Sequence, residues 1–435
     1  MSQLTIPNFV LIPAGYKSGV VYQQLPRLNY MSFTRATNQA TKINKEGFIE
    51  RVTSNYPRIG YELNVDGVPS DCPTLSLEDE ATNLIPDSED FDAGSWTHTN
   101  ITVTPENGPS PDGKYTADKL QQTNAGVRYA YDNTVLVINE DAYFSIFAKA
   151  GRTGWFAMGL YDFAGPTTDE AIGTFDLVNG VVGDTSLSSI SLLGRVEVSI
   201  EKYPNGWYRC ILKLNATSSG SWSARVYTSA QSINNITGTN GDNIYVWGAQ
   251  VEVNDYCSSY IWTSGGTFTR SKESCNQPGA SNNDLPQQSG LLYAEMRCFW
   301  DDTVGSQCVA ISDGSSANVV GLIFSQPTSN EITCNMQKGS ATLQLFSTTV
   351  PDVTQYQKVA CSWRDNNFQF YVNGVEVGNV IIGTSYPPNT FSEMNFGWAG
   401  GSTYPFYGAC KDLRAYDTTK LSVAEITDLL ITLTQ

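Results

Sequence analysis

Aromatic residues at predicted turns are the side chains of this sequence best suited to hold a ligand. Glycine, proline, serine or asparagine stands close to each of eight such residues and interrupts any regular strand there. The eight are Trp96, Tyr161, Phe163, Trp222, Trp398, Tyr404, Phe406 and Tyr407. An aromatic ring left open at a turn, beside serine or threonine hydroxyls, can stack on the apolar face of a sugar ring.

The run GWAGGSTYPFY, which ends at Tyr407, is the clearest of these turns. It combines glycine and proline with the aromatic residues Trp398, Tyr404, Phe406 and Tyr407. Together with Trp222, these four residues form the carbohydrate-binding set that the sequence predicts. Rings packed under a loop would show the same spacing, so that alternative stays open at this point.

Acidic turns offer a second kind of chemistry, because carboxylate and amide oxygens are the ligands that calcium prefers. Four runs combine such residues: Asp112-Gly113, Asp301-Asp302, Asp313-Gly314 and Asp365-Asn366-Asn367. None has the spacing of an EF-hand loop, and aspartate, asparagine and glycine are also ordinary turn residues. The sequence therefore leaves a structural calcium ion open and predicts no other cofactor.

Side chains that could catalyse a reaction are scarce. The single histidine, His98, lies in a polar turn, where a histidine is usually just exposed. Glu78-Asp79-Glu80 lies in a proline-bounded stretch, and Asp87, Glu89 and Asp90 lie in a predicted solvated loop. No P-loop, no dinucleotide fingerprint and no E-x-D-x-x-E run is present. The sequence therefore predicts that the protein is not an enzyme.

Charge restricts the partners of the chain. Its 435 residues include 26 Lys and Arg against 43 Asp and Glu, which gives a net charge of −17. A surface of this sign repels DNA and anionic membranes. No run of 18 apolar residues is present, and the N-terminus lacks the basic start and apolar run of a secretory signal. We therefore expect no nucleic-acid partner and no membrane insertion.

The nine cysteines follow no metal-binding pattern. No C-x-x-C pair occurs, so a structural zinc site is not predicted. Cys210, Cys334 and Cys361 stand in apolar strand patterns, where cysteine behaves as a small buried apolar residue. We interpret the cysteines as free thiols of a protein that folds in a reducing cytosol. A bridge between Cys257 and Cys275 is the alternative.

Strand patterns dominate the rest of the chain and predict an all-β fold with two antiparallel sandwiches in series. Residues 83–270 carry seven or more strands joined by turns, and residues 290–435 carry a second set that ends in a short helix at about 422–431. The polar stretch 271–289 is predicted to be a linker. Residues 1–82 contain several prolines and no long period, so we expect an irregular segment there that serves in anchoring or assembly.

Several motifs resemble those of tailed-bacteriophage virion proteins. NLIPDSEDFDAGSW at 83–96, GWYR at 206–209 and YVWGAQVE at 245–252 resemble a jelly roll that is similar to carbohydrate-binding modules. The segment before it, with FTRAT, GFIERV, PRIGYE and LSLEDEATNL, resembles the segment that precedes this jelly roll in those proteins. WRDNNFQFYVNGVEVG at 363–378 and KDLRAYDTTKLSVAEI at 411–426 resemble a concanavalin A-like, laminin-G-like sandwich.

The resemblance implies a head or tail fibre or spike subunit that works in the virion and attaches to a host-surface polysaccharide. Fibres of this kind are usually homotrimers, and residues 1–82 would bind other virion proteins. Removing residues 1–80 should then leave a folded protein that no longer joins particles. A capsid decoration or collar protein that binds only protein is an alternative, and a polysaccharide depolymerase is another.

Overall fold

The computed structural model describes most of the chain. Its described residues are 6–13, 31–124, 126, 128–134, 136–138, 140–163, 169–187, 196–215, 220–230, 232–233, 238–277, 285–301, 303, 305, 307–325, 328–401 and 403–435. Strands paired in antiparallel sheets account for nearly all regular structure, beside one α-helix. The predicted all-β fold with antiparallel sandwiches is therefore confirmed.

Seven short strands lie in the N-terminal region. They are β1 (Phe9–Leu11), β2 (Ser32–Thr34), β3 (Ala40–Ile43), β4 (Ile49–Val52), β5 (Arg58–Gly60), β6 (Thr74–Leu77) and β7 (Ala81–Asn83). This region thus contains more regular structure than its sequence predicts. Each strand has only three or four residues, which is too short for a period to show in the sequence.

Thirteen strands form the jelly roll. They are β8 (Trp96–Thr99), β9 (Ile101–Gly108), β10 (Ala117–Gln122), β11 (Tyr129–Asp132), β12 (Leu136–Ile138), β13 (Asp141–Ala150), β14 (Trp155–Asp162), β15 (Asp169–Asp176), β16 (Val181–Leu187), β17 (Val196–Lys202), β18 (Trp207–Asn215), β19 (Gly220–Tyr227) and β20 (Asn243–Val253). A 3₁₀ turn at Pro204–Gly206 joins β17 to β18.

The remaining elements follow the jelly roll. They are β21 (Phe268–Arg270), β22 (Ser274–Gln277), β23 (Gly290–Cys298), β24 (Gln307–Ser312), β25 (Val319–Phe324), β26 (Glu331–Lys338), β27 (Ala341–Thr349), β28 (Gln357–Arg364), β29 (Asn367–Val372), β30 (Val375–Val380), β31 (Glu393–Asn395), a 3₁₀ turn at Ala399–Gly401, β32 (Gly408–Asp417) and helix α1 (Val423–Thr434).

Two sheets face each other in the jelly roll. One has the strand order β17-β18-β13-β20-β10-β9, and the other has the order β16-β15-β14-β19-β11-β8, with β12 also paired to β19. We call the second one the outer sheet. Alternate residues of both sheets point inward, so Phe144, Phe156, Phe175 and Trp222 are fully buried between them.

The C-terminal sandwich takes strands from both ends of the chain. One sheet has the order β30-β29-β28-β23-β32-β6-β5, with β1 paired to β32. The other has the order β2-β22-β31-β24-β25-β26-β27. N-terminal residues such as Phe33, Leu75 and Leu77 consequently lie in the same apolar core as Leu292, and that core could not close without them.

The jelly roll is therefore inserted into the chain of the C-terminal sandwich. The chain leaves that sandwich along β7 and returns along β21, and these two strands pair in a small antiparallel sheet. The predicted linker at 271–289 differs from the structure in its first part, because Ser274–Gln277 forms β22 between β2 and β31. The polar composition of this segment predicts a linker, but backbone pairing with β2 and β31 makes it a strand of the sheet.

Five buried charged side chains hold the crossing point of the two sandwiches together; we call them the junction network. Arg58 Nη2 lies 2.6 Å from Glu273 Oε2, and Arg35 Nη1 lies 2.7 Å from Glu273 Oε1. Arg270 Nη1 lies 2.6 Å from Glu78 Oε2. Burial opposes the ionisation of Glu78, but the charges of Arg270 and Arg58 outweigh it and lower its pKa to about 2.

Ser422 and Glu425 have the spacing that predicts a capping box, and helix α1 begins with that box. The Ser422 hydroxyl accepts from the backbone N–H of Glu425, and the Glu425 carboxylate accepts from the backbone N–H of Ser422. Ile426 and Leu430 pack on Tyr293 and Tyr371 on the outer face of the sheet that contains β23. The helix therefore removes one face of the C-terminal sandwich from solvent.

Asn179-Gly180 and Asn373-Gly374 are pairs of the type that predicts two-residue hairpin turns, and they lie in turns of different length. Asn373 and Gly374 both have positive φ, at 49° and 80°, and they join β29 to β30 as a two-residue turn. The turn at Gly180 is longer, because β15 ends at Asp176, whose carboxylate accepts from the backbone N–H groups of Val178 and Asn179. That bonding fixes a four-residue turn in place of the predicted two-residue one.

All nine cysteines lie among the described residues, and none forms a disulfide in the structure. Cys257 lies beside Arg209 in the jelly roll, whereas Cys275 lies in the core of the C-terminal sandwich. Burial raises the pKa of both thiols to about 12. Both side chains are therefore neutral thiols at physiological pH. We also find no helix in the described part of the chain that has the length and apolar composition to cross a membrane.

Candidate functional site

The five predicted carbohydrate-binding aromatics do not form one site. Trp222 lies inside the jelly roll and is fully buried, because it alternates inward on β19 with Ala224 and Val226. Phe406 is 1% exposed and packs against Phe324 in the core of the C-terminal sandwich. These two rings have no face left for a sugar, so the sequence prediction is corrected for them.

The remaining three predicted residues lie near the 397–407 turn but point in different directions. Trp398 is 6% exposed and covers Gly321 of β25, where an added Cβ would lie 2.3 Å from a ring carbon of the tryptophan. Tyr407 is also buried and stacks with Trp300 at 6.1 Å between ring centroids. Tyr404 is exposed and stands apart, with a positive φ of 51°. The rings of Trp398 and Tyr407 therefore pack inward, and of the three only Tyr404 is accessible to solvent.

The three other turn aromatics divide in the same way. Trp96 is buried, and its indole N–H donates to the carbonyl of Asp87 at 3.0 Å. Phe163 is exposed at the end of β14. Tyr161 lies half-buried on the outer sheet of the jelly roll, on the face that points away from the core. Tyr161 alone belongs to a larger group of aromatic side chains at the surface.

We call this group the tyrosine face. Its members are Tyr129, Tyr131, Tyr161, Glu170, Arg225 and Tyr227, and they lie on β11, β14, β15 and β19 of the outer sheet. Alternation places them there, because the residues between them, such as Ala130, Leu160 and Val226, point into the core. Sheet pairing then sets Tyr131 opposite Arg225 on the neighbouring strand.

Arg225 is the centre of the tyrosine face. Its guanidinium carbon lies 3.3 Å from the centroid of the Tyr161 ring and 4.6 Å from that of Tyr129. A guanidinium between two aromatic rings is held by cation–π attraction and keeps its N–H donors in fixed directions. The Tyr129 ring also contacts those of Tyr131 and Tyr227, at 5.7 and 5.5 Å between centroids. Tyr227 is buried, so Tyr129, Tyr131 and Tyr161 form the accessible part of this aromatic cluster.

A glycine opens space beside this arginine. Gly159 on β14 pairs with Arg225 on β19 and presents no side chain to the surface. An added Cβ at this position would lie 3.1 Å from Glu170 Oε1 and 2.9 Å from the carbonyl oxygen of Ala171. The absent side chain leaves room for the Glu170 carboxylate to lie across the strand, next to the arginine.

Hydrogen bonds tie the charged groups of the face together. The hydroxyl of Tyr227 donates to Glu170 Oε1 at 2.5 Å. Burial raises the pKa of Glu170, while the bond from Tyr227 and the charge of Arg225 act in the opposite direction. Burial and the nearby carboxylate raise the pKa of Tyr227, so its hydroxyl stays a donor at neutral pH.

The tyrosine face can therefore make the contacts that a sugar needs. Flat ring faces suit the C–H surface of a pyranose, and a fixed guanidinium, a carboxylate and phenol hydroxyls suit its hydroxyl groups. One cation and one anion balance each other, which favours an uncharged ligand. The sequence signal for this site is the alternation YAYD at 129–132 and ARVY at 224–227, which sets two aromatics or an aromatic and an arginine on one face.

The acidic turns serve as hydrogen-bond acceptors. Asp112 accepts from Ser110 and Lys114, and Asp313 accepts from the side chains of Ser315 and Asn318. Asp365 accepts from the backbone N–H of Ser385, and Asp301 accepts from that of Asn330, whereas Asp302 lies outside the described residues. Across the described part of the chain, no group of three or more His, Cys, Asp or Glu side chains is placed to hold a metal ion.

The residues considered for catalysis have structural partners. His98 lies in β8, and its Nε2 is 2.8 Å from the carbonyl oxygen of Phe91. Glu78 belongs to the junction network. Glu89 pairs with Arg51 at 2.9 Å and accepts from the hydroxyl of Tyr260. These contacts explain why the residues stand where they do in the fold.

Comparison with protein families places one part of the chain. Residues 298–427 match the model of the concanavalin A-like lectin/glucanases superfamily, a laminin-G-type family. The match begins at the last residue of β23 and ends within α1. The concanavalin A-like, laminin-G-like character predicted for the C-terminal sandwich is thereby confirmed. A comparison with curated proteins found no match.

Solved structures resemble parts of the chain only distantly. A heptameric pentraxin from Limulus polyphemus is 14% identical, covers 35% of this chain and 72% of its own, and has a TM-score of 0.28. The carbohydrate-binding module of a Ruminococcus gnavus sialidase, bound to sialyllactose, is 13% identical, covers 34% of this chain and 84% of its own, and has a TM-score of 0.29. Domain 4 of an arabinanase from Geobacillus stearothermophilus, in complex with arabinotriose, is 14% identical, covers 38% of this chain and 73% of its own, and has a TM-score of 0.30. Likenesses of this size do not carry a function to this chain.

Proposed function

We propose that this protein binds an uncharged glycan on the tyrosine face of its jelly roll. The observation that carries the proposal is the position of Arg225 between the rings of Tyr161 and Tyr129, beside the Glu170 carboxylate that lies over Gly159. This arrangement keeps polar groups in fixed directions next to flat apolar surfaces. The lectin-like family match of the C-terminal sandwich supports glycan recognition as the general role.

The finer role that we propose is attachment of a tailed-bacteriophage particle to host-surface polysaccharide. Its support is the resemblance of the motifs in the jelly roll and C-terminal sandwich to those of virion proteins. We propose a fibre or spike subunit in the virion, as a homotrimer that contacts other virion proteins through its N-terminal region. Incorporation of a tagged chain into particles, visible by immunogold electron microscopy, tests this part; chains absent from purified particles would contradict it.

Glycan binding is tested first by an array and then by titration. The wild-type chain is applied to an array of bacterial polysaccharides, and the best neutral ligand is measured by isothermal titration calorimetry. Arg225→Gln should weaken binding by at least about tenfold, because it removes the cation between the two rings and a charged donor. An array without any saturable ligand would contradict the proposal.

A matched substitution controls for general effects. Arg152 lies on the same jelly roll, has an exposed side chain, lies 3.8 Å from Asp242 and donates to the carbonyl oxygen of Asn240 at 3.5 Å. Arg152→Gln is the same chemical substitution as Arg225→Gln. It should leave the affinity within about twofold of wild type, as expected for an exposed ion pair. Equal losses in both variants would show that Arg225 acts through charge at a distance. Release of reducing ends from the bound polysaccharide would indicate a depolymerase in place of a binding protein.

A further inference from the structure

A cavity lies where the jelly roll meets the strands of the C-terminal sandwich. This junction cleft has a volume of about 750 Å³, within the range of ligand sites in proteins. Jelly-roll residues such as Phe147 and Arg209 line one side, and N-terminal residues such as Arg58 and Tyr61 line another. Phe299 of the C-terminal sandwich closes part of the wall.

The charges around the junction cleft are opposite to those of the protein as a whole. Among the described residues, five cationic side chains and three carboxylates line it, although the chain carries a net charge of −17. Two of these lining residues, Arg58 and Glu78, belong to the junction network, which contains three arginines against two glutamates, all of them buried. Glu201 and the buried Glu252 favour the charge of Arg209 from nearby, so unpaired hydrogen-bond donors, and not an uncompensated charge, mark the place for an anion.

Arg209 presents the clearest position for such an anion. It is 6% exposed, and no carboxylate of the described residues lies within ion-pair distance of its guanidinium. Its Nη2 donates to Ser145 Oγ at 3.0 Å and to the carbonyl oxygen of Ser258 at 2.8 Å, whereas its Nε is buried without a hydrogen-bond partner. A buried guanidinium that is held in place yet keeps an unpaired N–H is prepared for a further acceptor.

A second unpartnered donor lines the same cleft. The hydroxyl of Tyr256 is buried and has no hydrogen-bond partner. Its ring stacks on Trp300 at 4.8 Å and on Phe299 at 5.5 Å, so its position is fixed by the C-terminal sandwich. Burial raises the pKa of this hydroxyl well above its usual value, which keeps its proton available for donation.

The rest of the wall offers aromatic contacts. The rings of Tyr203 and Tyr260 contact that of Phe147 edge to face, at 5.0 and 5.9 Å between centroids. Such a wall suits a ligand with a ring or a compact apolar body next to its charged group. The junction cleft thus combines an unpaired guanidinium, an unpaired hydroxyl and an aromatic surface.

We propose that the junction cleft binds a small ring-bearing carboxylic acid, such as a sugar acid, whose carboxylate accepts hydrogen bonds from Arg209 and Tyr256. Because one donor belongs to the jelly roll and the other is fixed by the C-terminal sandwich, the bound acid would connect the two sandwiches. The proposal is independent of glycan binding at the tyrosine face, which lies on another sheet of the jelly roll.

The test is calorimetric titration and thermal unfolding of the full chain with D-glucuronate, benzoate, D-glucose and acetate. Saturable binding of glucuronate or benzoate with a rise in Tm supports the proposal, and the stronger of the two identifies a sugar or an aromatic body. Glucose lacks the carboxylate and acetate lacks the ring, so both should bind more weakly than the better of glucuronate and benzoate. Absence of binding by both ring-bearing acids, or equal affinity for acetate, would overturn the proposal.

Tyr256→Phe provides the decisive variant. It removes the unpartnered hydroxyl but keeps the ring stack, so the ligand-free protein should unfold at the wild-type temperature or above it. Binding of the acid should weaken about tenfold, the usual effect of losing one hydrogen bond to a charged group. Tyr371→Phe, which removes a hydroxyl bonded to Glu376 elsewhere, is the matched control and should bind as wild type does.

Two results would separate this proposal from the proposed function. Unchanged acid binding by Tyr256→Phe would overturn the proposed acid site in the junction cleft, whether or not the tyrosine face binds glycan. Tyr161→Ala should leave acid binding at the wild-type level even if it abolishes glycan binding. A parallel loss of both activities in Tyr161→Ala would overturn the independence of the two sites.

Discussion

The jelly roll and the C-terminal sandwich differ in how they use the chain and in what they leave at the surface. The jelly roll forms from one continuous stretch, whereas the C-terminal sandwich needs strands β1, β2, β5, β6 and β22 from outside its own run of sequence. The jelly roll presents an outer sheet with tyrosines and an arginine. The C-terminal sandwich covers one face with α1 and places Trp398 over the other. Aromatic residues on the outward-facing positions of β11 and β14 stay partly accessible, while Trp398, Phe406 and Tyr407 of the glycine-rich turn are buried.

The largest effect should come from removing residues 1–80. This deletion takes away four strands of the C-terminal sandwich and also Arg35, Arg58 and Glu78, which leaves Arg270 and Glu273 without their ion-pair partners. We expect the thermal transition of the C-terminal sandwich to disappear while that of the jelly roll remains. Differential scanning calorimetry measures both transitions.

The structure thus corrects the earlier expectation that the chain stays fully folded without these residues. A deleted chain that still unfolds with two transitions would show that the C-terminal sandwich closes its core without the N-terminal strands. It would also remove the difference between the two sandwiches.

Glu273→Gln should cost about 3–5 kcal/mol of unfolding free energy, the usual result of breaking a buried ion pair from one side. It leaves Arg35 without a charged partner and Arg58 with Glu78 alone. Chemical denaturation measures the loss. Lys42→Gln, which breaks a more exposed pair with Glu50, should cost less than about 1 kcal/mol. Similar losses in both variants would contradict a structural role of the junction network.

Trp398→Ala should lower the unfolding free energy by about 3 kcal/mol, because the ring covers Gly321 and is nearly fully buried. Tyr404 lies in the same turn but is exposed, so Tyr404→Ala should change the unfolding free energy by less than about 0.5 kcal/mol. Both variants should keep the wild-type affinity for glycan. A loss of binding in either one would restore the turn at 397–407 as the binding site.

Acid should reach the tyrosine face before the junction network, because the pKa of Glu170 is raised whereas that of Glu78 is lowered. The pKa of Glu78 is lowered to about 2 in the folded chain from its ordinary 4.5, so its ionised form stabilises the fold above pH 4.5. That contribution is lost as the pH falls from about 4.5 to about 2. The Tm of Glu78→Gln should therefore fall less over this range than the Tm of the wild type. Parallel curves would show that Glu78 does not stabilise the fold through its charge.

Parts of this architecture could be predicted because they depend on local sequence. The capping box at Ser422 and the turn at Asn373-Gly374 need only a few neighbouring residues, and both are present. The strands β1, β2 and β22 could not be predicted, because their pairing joins residues more than 200 positions apart and no period shows in three or four residues.

The tyrosine face was missed for a related reason. Tyrosines inside strand patterns are usually core residues, so only Tyr161, next to a predicted turn, was considered. Whether Tyr129 and Tyr131 point inward depends on which face of β11 meets the core, and that is set by pairing with β19. The inward direction of Trp398 likewise depends on Gly321, a residue of another strand.

The most direct test of the central claim is the affinity of one array-selected neutral glycan for Tyr161→Ala and for Trp398→Ala, measured by calorimetry under the same conditions. We predict that Tyr161→Ala weakens binding at least about tenfold, because one stacking ring and one support of Arg225 are lost. Trp398→Ala should bind within about twofold of wild type at a temperature where it remains folded. The reverse order of these two affinities would contradict glycan binding at the tyrosine face.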